Sequence, residues 1–83
     1  MRKVVYVEPK DNYQLVVIFD NGEKRMKDIS YLLEKPVFSP LKDANVYKNA
    51  FILHGAVTWK DFDGNEIDIC PDSLYKTSIL IEK

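Results

Sequence analysis

The sequence predicts an α+β domain: one antiparallel sheet of five or six strands built from hairpins, with two short helices packed on one face. Three observations carry this. Lys3–Glu8 (KVVYVE) and Tyr13–Phe19 (YQLVVIF) are strand-length runs of β-branched, aliphatic and aromatic residues. Asn21-Gly22 and His54-Gly55 follow apolar runs at hairpin spacing. Asp28–Glu34 and Pro71–Ser78 open instead with residues that cap or start helices.

In chain order, Lys3–Glu8 forms the first strand, and Pro9 stops it. Tyr13–Phe19 is the strongest strand. Asn21-Gly22 tolerates positive φ and turns the chain into a returning strand, Glu23–Ile29. A two-residue loop there pairs Phe19 with Lys24, Ile18 with Arg25, Val17 with Met26, and Val16 with Lys27. That register puts Tyr13, Leu15, Val17, Phe19 and Met26 on the core face. Val16 and Ile18 fall on the other face beside Arg25 and Lys27, whose aliphatic stems can lie over them.

Asp28–Glu34 reads as a short helix, with Asp28 or Ser30 at its N-cap, and it must end by Lys35 because Pro36 follows. Val37–Asp43 is a connection with one helical turn, capped by Ser39 ahead of Pro40 and anchored by Phe38 and Leu41. Asn49–Leu53 and Ala56–Lys60 make a second hairpin about His54-Gly55, opposing Ile52 to Val57 and Ala50 to Trp59. After the turn Asp61–Asn65, Glu66–Ile69 is a short strand. Pro71–Ser78 is then a helix with Leu74 and Tyr75 facing inward. Ile79-Leu80-Ile81 either extends that helix or adds an edge strand.

Eighty-three residues, 46% apolar and 30% charged, are enough for a single domain, residues 1–83, with a small core. Twelve basic against thirteen acidic residues leave a net charge of −1, without the basic footprint of a nucleic-acid binder, so direct nucleic-acid binding is not expected. Met1-Arg2-Lys3 resembles the start of a signal peptide, but the apolar run Val4–Val7 is closed by Glu8-Pro9-Lys10. No stretch approaches the ~20 apolar residues of a membrane span. The single cysteine suits a reducing compartment, and a cytoplasmic location is expected.

The chemistry of catalysis is hard to find. Three glycines show no phosphate-loop spacing. Asp61-x-Asp63-Gly64-Asn65-Glu66 has its glycine at the fourth position instead of the sixth, and Asp72 stands at the twelfth where an EF-hand needs glutamate. One histidine and one cysteine cannot build a structural zinc site, and nothing local brings His54 to Cys70 or orients the pair. The aspartates 61, 63, 68 and 72 read as turn residues rather than an acid/base pair. No catalytic residue, metal or cofactor is therefore expected.

Two surfaces remain. The face of Val16, Ile18, Arg25 and Lys27, an apolar centre with a basic rim, has the composition of an interface as well as that of an ordinary solvated face. Trp59 is either a core anchor or, with the Asp68–Tyr75 junction, the wall of a ligand pocket.

Tyr13-x-Leu15-x-Val17-x-Phe19-x-x-Gly22-Glu23, then Asp28, Trp59 and Asp68-Ile69-Cys70-Pro71-Asp72-x-Leu74-Tyr75 resemble the bacterial domain-of-unknown-function 2442 family over nearly the whole chain. The resemblance implies an α+β domain without established activity, often encoded beside another short protein in a toxin–antitoxin-like pair. It transfers no catalytic residue. Some members carry a helix-turn-helix domain, which these residues do not include. The leading expectation is thus a non-catalytic interaction module or antitoxin-like partner of a small neighbouring protein, with self-association as a possibility. The alternative is a small-ligand sensor domain using Trp59, Asp68, Cys70, Pro71, Asp72, Leu74 and Tyr75.

Overall fold

A computed structural model describes residues 2–83. Met1, part of the basic start noted above, lies outside the described residues. Seven strands run β1 (Val4–Lys10), β2 (Gln14–Phe19), β3 (Lys24–Asp28), β4 (Phe51–Leu53), β5 (Ala56–Lys60), β6 (Glu66–Ile69) and β7 (Ile79–Glu82). Two α-helices, α1 (Ala44–Tyr47) and α2 (Pro71–Thr77), join 3-10 segments at Asp11–Tyr13, Ser30–Glu34 and Pro36–Lys42.

The α+β class and the antiparallel hairpins match expectation, but the single sheet of five or six strands does not. The strands form a four-stranded sheet, β1-β2-β3-β7, and a three-stranded sheet, β4-β5-β6. The reason lies in how the second hairpin meets the first. It touches the start of β1, where the Val4 N–H donates to the Gly55 carbonyl at 2.8 Å, and no ladder continues from there. The last strand then returns to β3 and not to β6. Apolar inner faces of both sheets share one core: Val4, Leu15, Val17 and Phe19 from the first, and Val57, Trp59, Ile67 and Ile69 from the second. Leu32, Leu41, Val46 and Leu74 from the helical segments close it.

The first hairpin is shifted by one residue from the predicted register. Ile18 pairs with Lys24, Val17 with Arg25, Val16 with Met26, and Leu15 with Lys27. The loop has three residues, Asp20-Asn21-Gly22, closed by Gly22 N–H donating to Phe19 O (2.9 Å) and Phe19 N–H to Glu23 O (3.0 Å). Gly22 alone takes the left-handed conformation, at φ +86°, as in a type I turn followed by a glycine bulge. A two-residue loop would have required positive φ at Asn21 as well. The second hairpin does take that form: His54 and Gly55 sit at φ +53° and +77°, and Ile52 opposes Val57 as predicted. Ala50, expected opposite Trp59, lies just outside β4.

Other boundaries differ locally. β1 runs through Pro9, which an edge strand permits. Tyr13 is not in β2; it ends the Asp11–Tyr13 turn at φ +60°, held by its hydroxyl on Leu41 O (2.8 Å) and its ring against Tyr47 (4.6 Å between centroids). Met26, placed inward by the predicted register, is on the outer face with Val16. The expected helix at Asp28–Glu34 is a 3-10 segment, Ser30–Glu34, whose first N–H, that of Ser30, is accepted by Asp28 Oδ1 at 2.9 Å. Ser39 caps nothing: its hydroxyl donates back to Pro36 O. Asp43, unmarked in the sequence reading, caps α1 by accepting the Asn45 N–H. The tail resolves as an edge strand, β7.

Candidate functional site

Cross-strand partners share a face, so the one-residue shift splits the predicted partner-binding surface. Val16 and Ile18 lie on the outer face of the four-stranded sheet, whereas Arg25 and Lys27 share the inner side with Val17 and Leu15. The four residues do not form one patch.

Arg25 has another occupation. Its side chain is 15% exposed and its guanidinium joins three elements. Nε donates to Ser78 Oγ (2.8 Å), Nη2 to the Ser78 carbonyl (3.0 Å), and Nη1 to Glu23 Oε1 (2.7 Å). The same guanidinium lies 4.5 Å from the centre of the Tyr75 ring, with Arg2 at 5.1 Å. Tyr75 packs edge-on against Phe19 (5.0 Å) and donates its hydroxyl to Glu23 Oε1 (2.9 Å). That hydroxyl, with Arg25 in support and desolvation opposing, holds the Glu23 carboxyl below its ordinary value of 4.5. Arg25, Glu23 and Tyr75 therefore bind α2 to the first hairpin.

The residues grouped around Trp59 also separate. Trp59 is fully buried, its indole N–H donating to Tyr47 O at 2.9 Å, and so it is a core anchor. Asp72 accepts the Arg2 N–H (2.9 Å) beside Pro71 at the first turn of α2. Asp68, Cys70 and Leu74, by contrast, do line a common cleft of about 240 Å3, formed where β6 and α2 face the Ser30–Lys42 segment. Leu74, Ile69 and Leu32 give it an apolar floor, and Lys27 stands at its edge. Asp61 turns the loop on itself, accepting the backbone N–H groups of Asp63 and Asn65, which together with the Asn65 side chain lower its carboxyl's pKa. Among the described residues no three His, Cys, Asp or Glu side chains gather as metal ligands.

The sequence reading did not single out β7 as a site. It is one of the two outer strands of its sheet, paired only with β3, and Ile79, Leu80 and Ile81 are 69%, 41% and 46% exposed. Met26 pairs with Ile79, and Val16 with Met26, so an apolar row crosses the outer face to the open edge. Strand β6, at the edge of the other sheet, alternates differently: Ile67 and Ile69 are buried while Glu66 and Asp68 point outward. Outward charges deter strand pairing. β6 has that protection and the Ile79-Leu80-Ile81 run lacks it. An unbroken apolar triplet directly after a helix was the available signal.

Fold and surfaces together define a small α+β domain of two sheets, in which the edge strand β6 carries outward charges and the Ile79-Leu80-Ile81 run of the edge strand β7 does not. Residues 4–79 match the family described as "Protein of unknown function (DUF2442)", and the chain belongs to that family. No curated protein and no solved structure matches it. No helix among the described residues is long and apolar enough to cross a membrane.

Proposed function

We propose that this protein is a non-catalytic interaction module that takes an extended segment of a small partner protein along β7. The observation that carries the reading is the exposed, uncharged edge Ile79-Leu80-Ile81. Such an edge presents unpaired backbone N–H and C=O groups together with apolar side chains on both faces. An added strand satisfies both, through main-chain hydrogen bonds for affinity and alternate side chains for specificity. A helix could cover one face only. Half-buried Met26, paired with Ile79, extends the contact onto the outer face of the sheet.

The partner in this reading is the short protein encoded alongside, in the toxin–antitoxin-like manner that the sequence resemblance implies, within the cytoplasm. The test is the double change Ile79→Lys and Ile81→Lys, with co-purification of the neighbouring gene product. Lysines on an exposed edge should leave the melting temperature nearly unchanged and abolish association. Association at wild-type strength with the fold intact would remove β7 from the interface. A wild-type dimer dissolved by the same change would move the reading to self-pairing.

A further inference from the structure

We propose that the cleft between α2 and the Ser30–Lys42 segment binds a small carboxylic acid with an apolar body. The floor, Leu32, Ile69 and Leu74, is buried and hydrophobic, as an apolar body requires. The rim is rich in uncommitted donors. Lys27 and Lys35 line the cleft, and neither is in an ion pair among the described residues. The Lys27 ammonium lies 5.2 Å from the centre of the Tyr31 ring, itself part of the wall. Ser73 engages Thr77 through its carbonyl, which leaves the hydroxyl free to donate.

The only carboxylate on this rim is Asp68, which makes no ion pair either. Two ammonium groups against one carboxylate leave the mouth positive, over a floor that cannot solvate charge. A ligand with its carboxylate at the mouth and its hydrocarbon inward satisfies both. A neutral ligand would leave the excess positive charge of the rim uncompensated, and a cation would add to it. At the ~30 Å3 that a water molecule occupies in the liquid, 240 Å3 is the space of about eight waters, enough for a ligand the size of benzoate or hexanoate. A ligand so small binds weakly, with a dissociation constant on the order of 0.1–10 mM.

The experiment titrates the full chain with benzoate, benzyl alcohol and benzylammonium, and follows backbone amide resonances. Benzoate should shift the amides of residues 68–74 and 31–35 saturably. Benzyl alcohol should bind at least about threefold more weakly, and benzylammonium more weakly still. Lys27→Met and Lys35→Met should each weaken benzoate by about two- to fivefold, the range of a partly solvated charge contact. Asp68→Asn should tighten it by a similar factor, a gain that loss of folding cannot mimic. Equal binding of the three probes, shifts centred elsewhere, or no response to 20 mM benzoate (about twice the weakest expected constant) would overturn the proposal, as would an unchanged affinity in Asp68→Asn and both lysine variants.

Discussion

Arg25 closes the C-terminal end of α2 through Ser78, donating to both its hydroxyl (2.8 Å) and its carbonyl (3.0 Å). A helix ends with carbonyls that lack intrahelical partners, and a cation there also suits the helix dipole. The arginine is supplied from a strand 53 residues away in sequence. It therefore ties the end of α2, just ahead of β7, to the first hairpin.

Arg25→Ala should destabilise the domain by about 1–3 kcal/mol, the range for losing hydrogen bonds to a charged group. Arg25→Lys should recover only part of this, because an ammonium cannot reproduce the fork to Ser78 and Glu23. Urea denaturation measures both. A midpoint unchanged in Arg25→Ala would return this residue to the outer face on which the predicted register places it.

The difference between those two assignments traces to Gly22. The segment Asn21-Gly22 is compatible with a two-residue loop or with a three-residue loop ending in a glycine bulge, and both put strands on either side. Sequence shows the hairpin; the choice between loops depends on which residue packing allows to oppose Glu23. One residue of register exchanges the faces of a whole strand, and so Arg25 changed from rim to staple. At His54-Gly55 the two-residue form that the sequence predicts is the one observed. The cleft was half legible: Asp68, Cys70 and Leu74 stood in one motif, but Lys27, Tyr31 and Lys35 reach it only through tertiary folding. The second sheet was not legible, because nothing local in β7 selects β3 over β6.

Trp59 is the largest fully buried side chain. Trp59→Ala should cost about 3–5 kcal/mol, the usual penalty for emptying an aromatic site. It should also free the Tyr47 carbonyl that the indole N–H satisfies. Chemical denaturation followed by far-ultraviolet circular dichroism reads the change, since the variant has no tryptophan. A loss below 1 kcal/mol would contradict its placement in the core.

Gly55 combines positive φ with crowding. A Cβ there would lie 3.0 Å from Cβ and Cγ of Lys3, beside the Val4–Gly55 hydrogen bond that ties the two sheets. Gly55→Ala should therefore destabilise by more than the ~1–2 kcal/mol of left-handed strain alone. Gly64→Ala, at φ +86° with nothing within 4 Å, is the matched control for strain without crowding. Equal losses in the two variants would show that Lys3 yields freely.

Tyr47 lies in the core, with its hydroxyl donating to Lys10 O at 2.7 Å, and burial pushes its pKa from 10.0 up to about 12. The folded state thus favours the neutral phenol. Its contribution is fully present below about pH 10 and is lost as pH rises toward 12. Absorbance titration should show a late-ionising component that is lost in Tyr47→Phe. Stability should fall less steeply above pH 10 in that variant; identical alkaline slopes would rule out the coupling.

Glu23 should act in the opposite direction at acid pH. The Tyr75 hydroxyl, donating to its carboxylate, holds the folded-state pKa below 4.5, and Arg25 adds to the effect. The unfolded chain therefore binds this proton first. Stability from the ionised carboxylate is present above about pH 4.5 and is lost as pH falls through the lower folded value. Urea midpoints of wild type and Glu23→Gln should be furthest apart near neutral pH and converge as pH falls below 4.5. Tyr75→Phe keeps the ring between Arg2 and Arg25 but removes the hydroxyl, so its gap from Tyr75→Phe/Glu23→Gln should be smaller and converge closer to pH 4.5. A wild-type gap that stays constant from pH 7 to pH 3 would mean that the carboxylate and the phenol are not coupled in the folded protein.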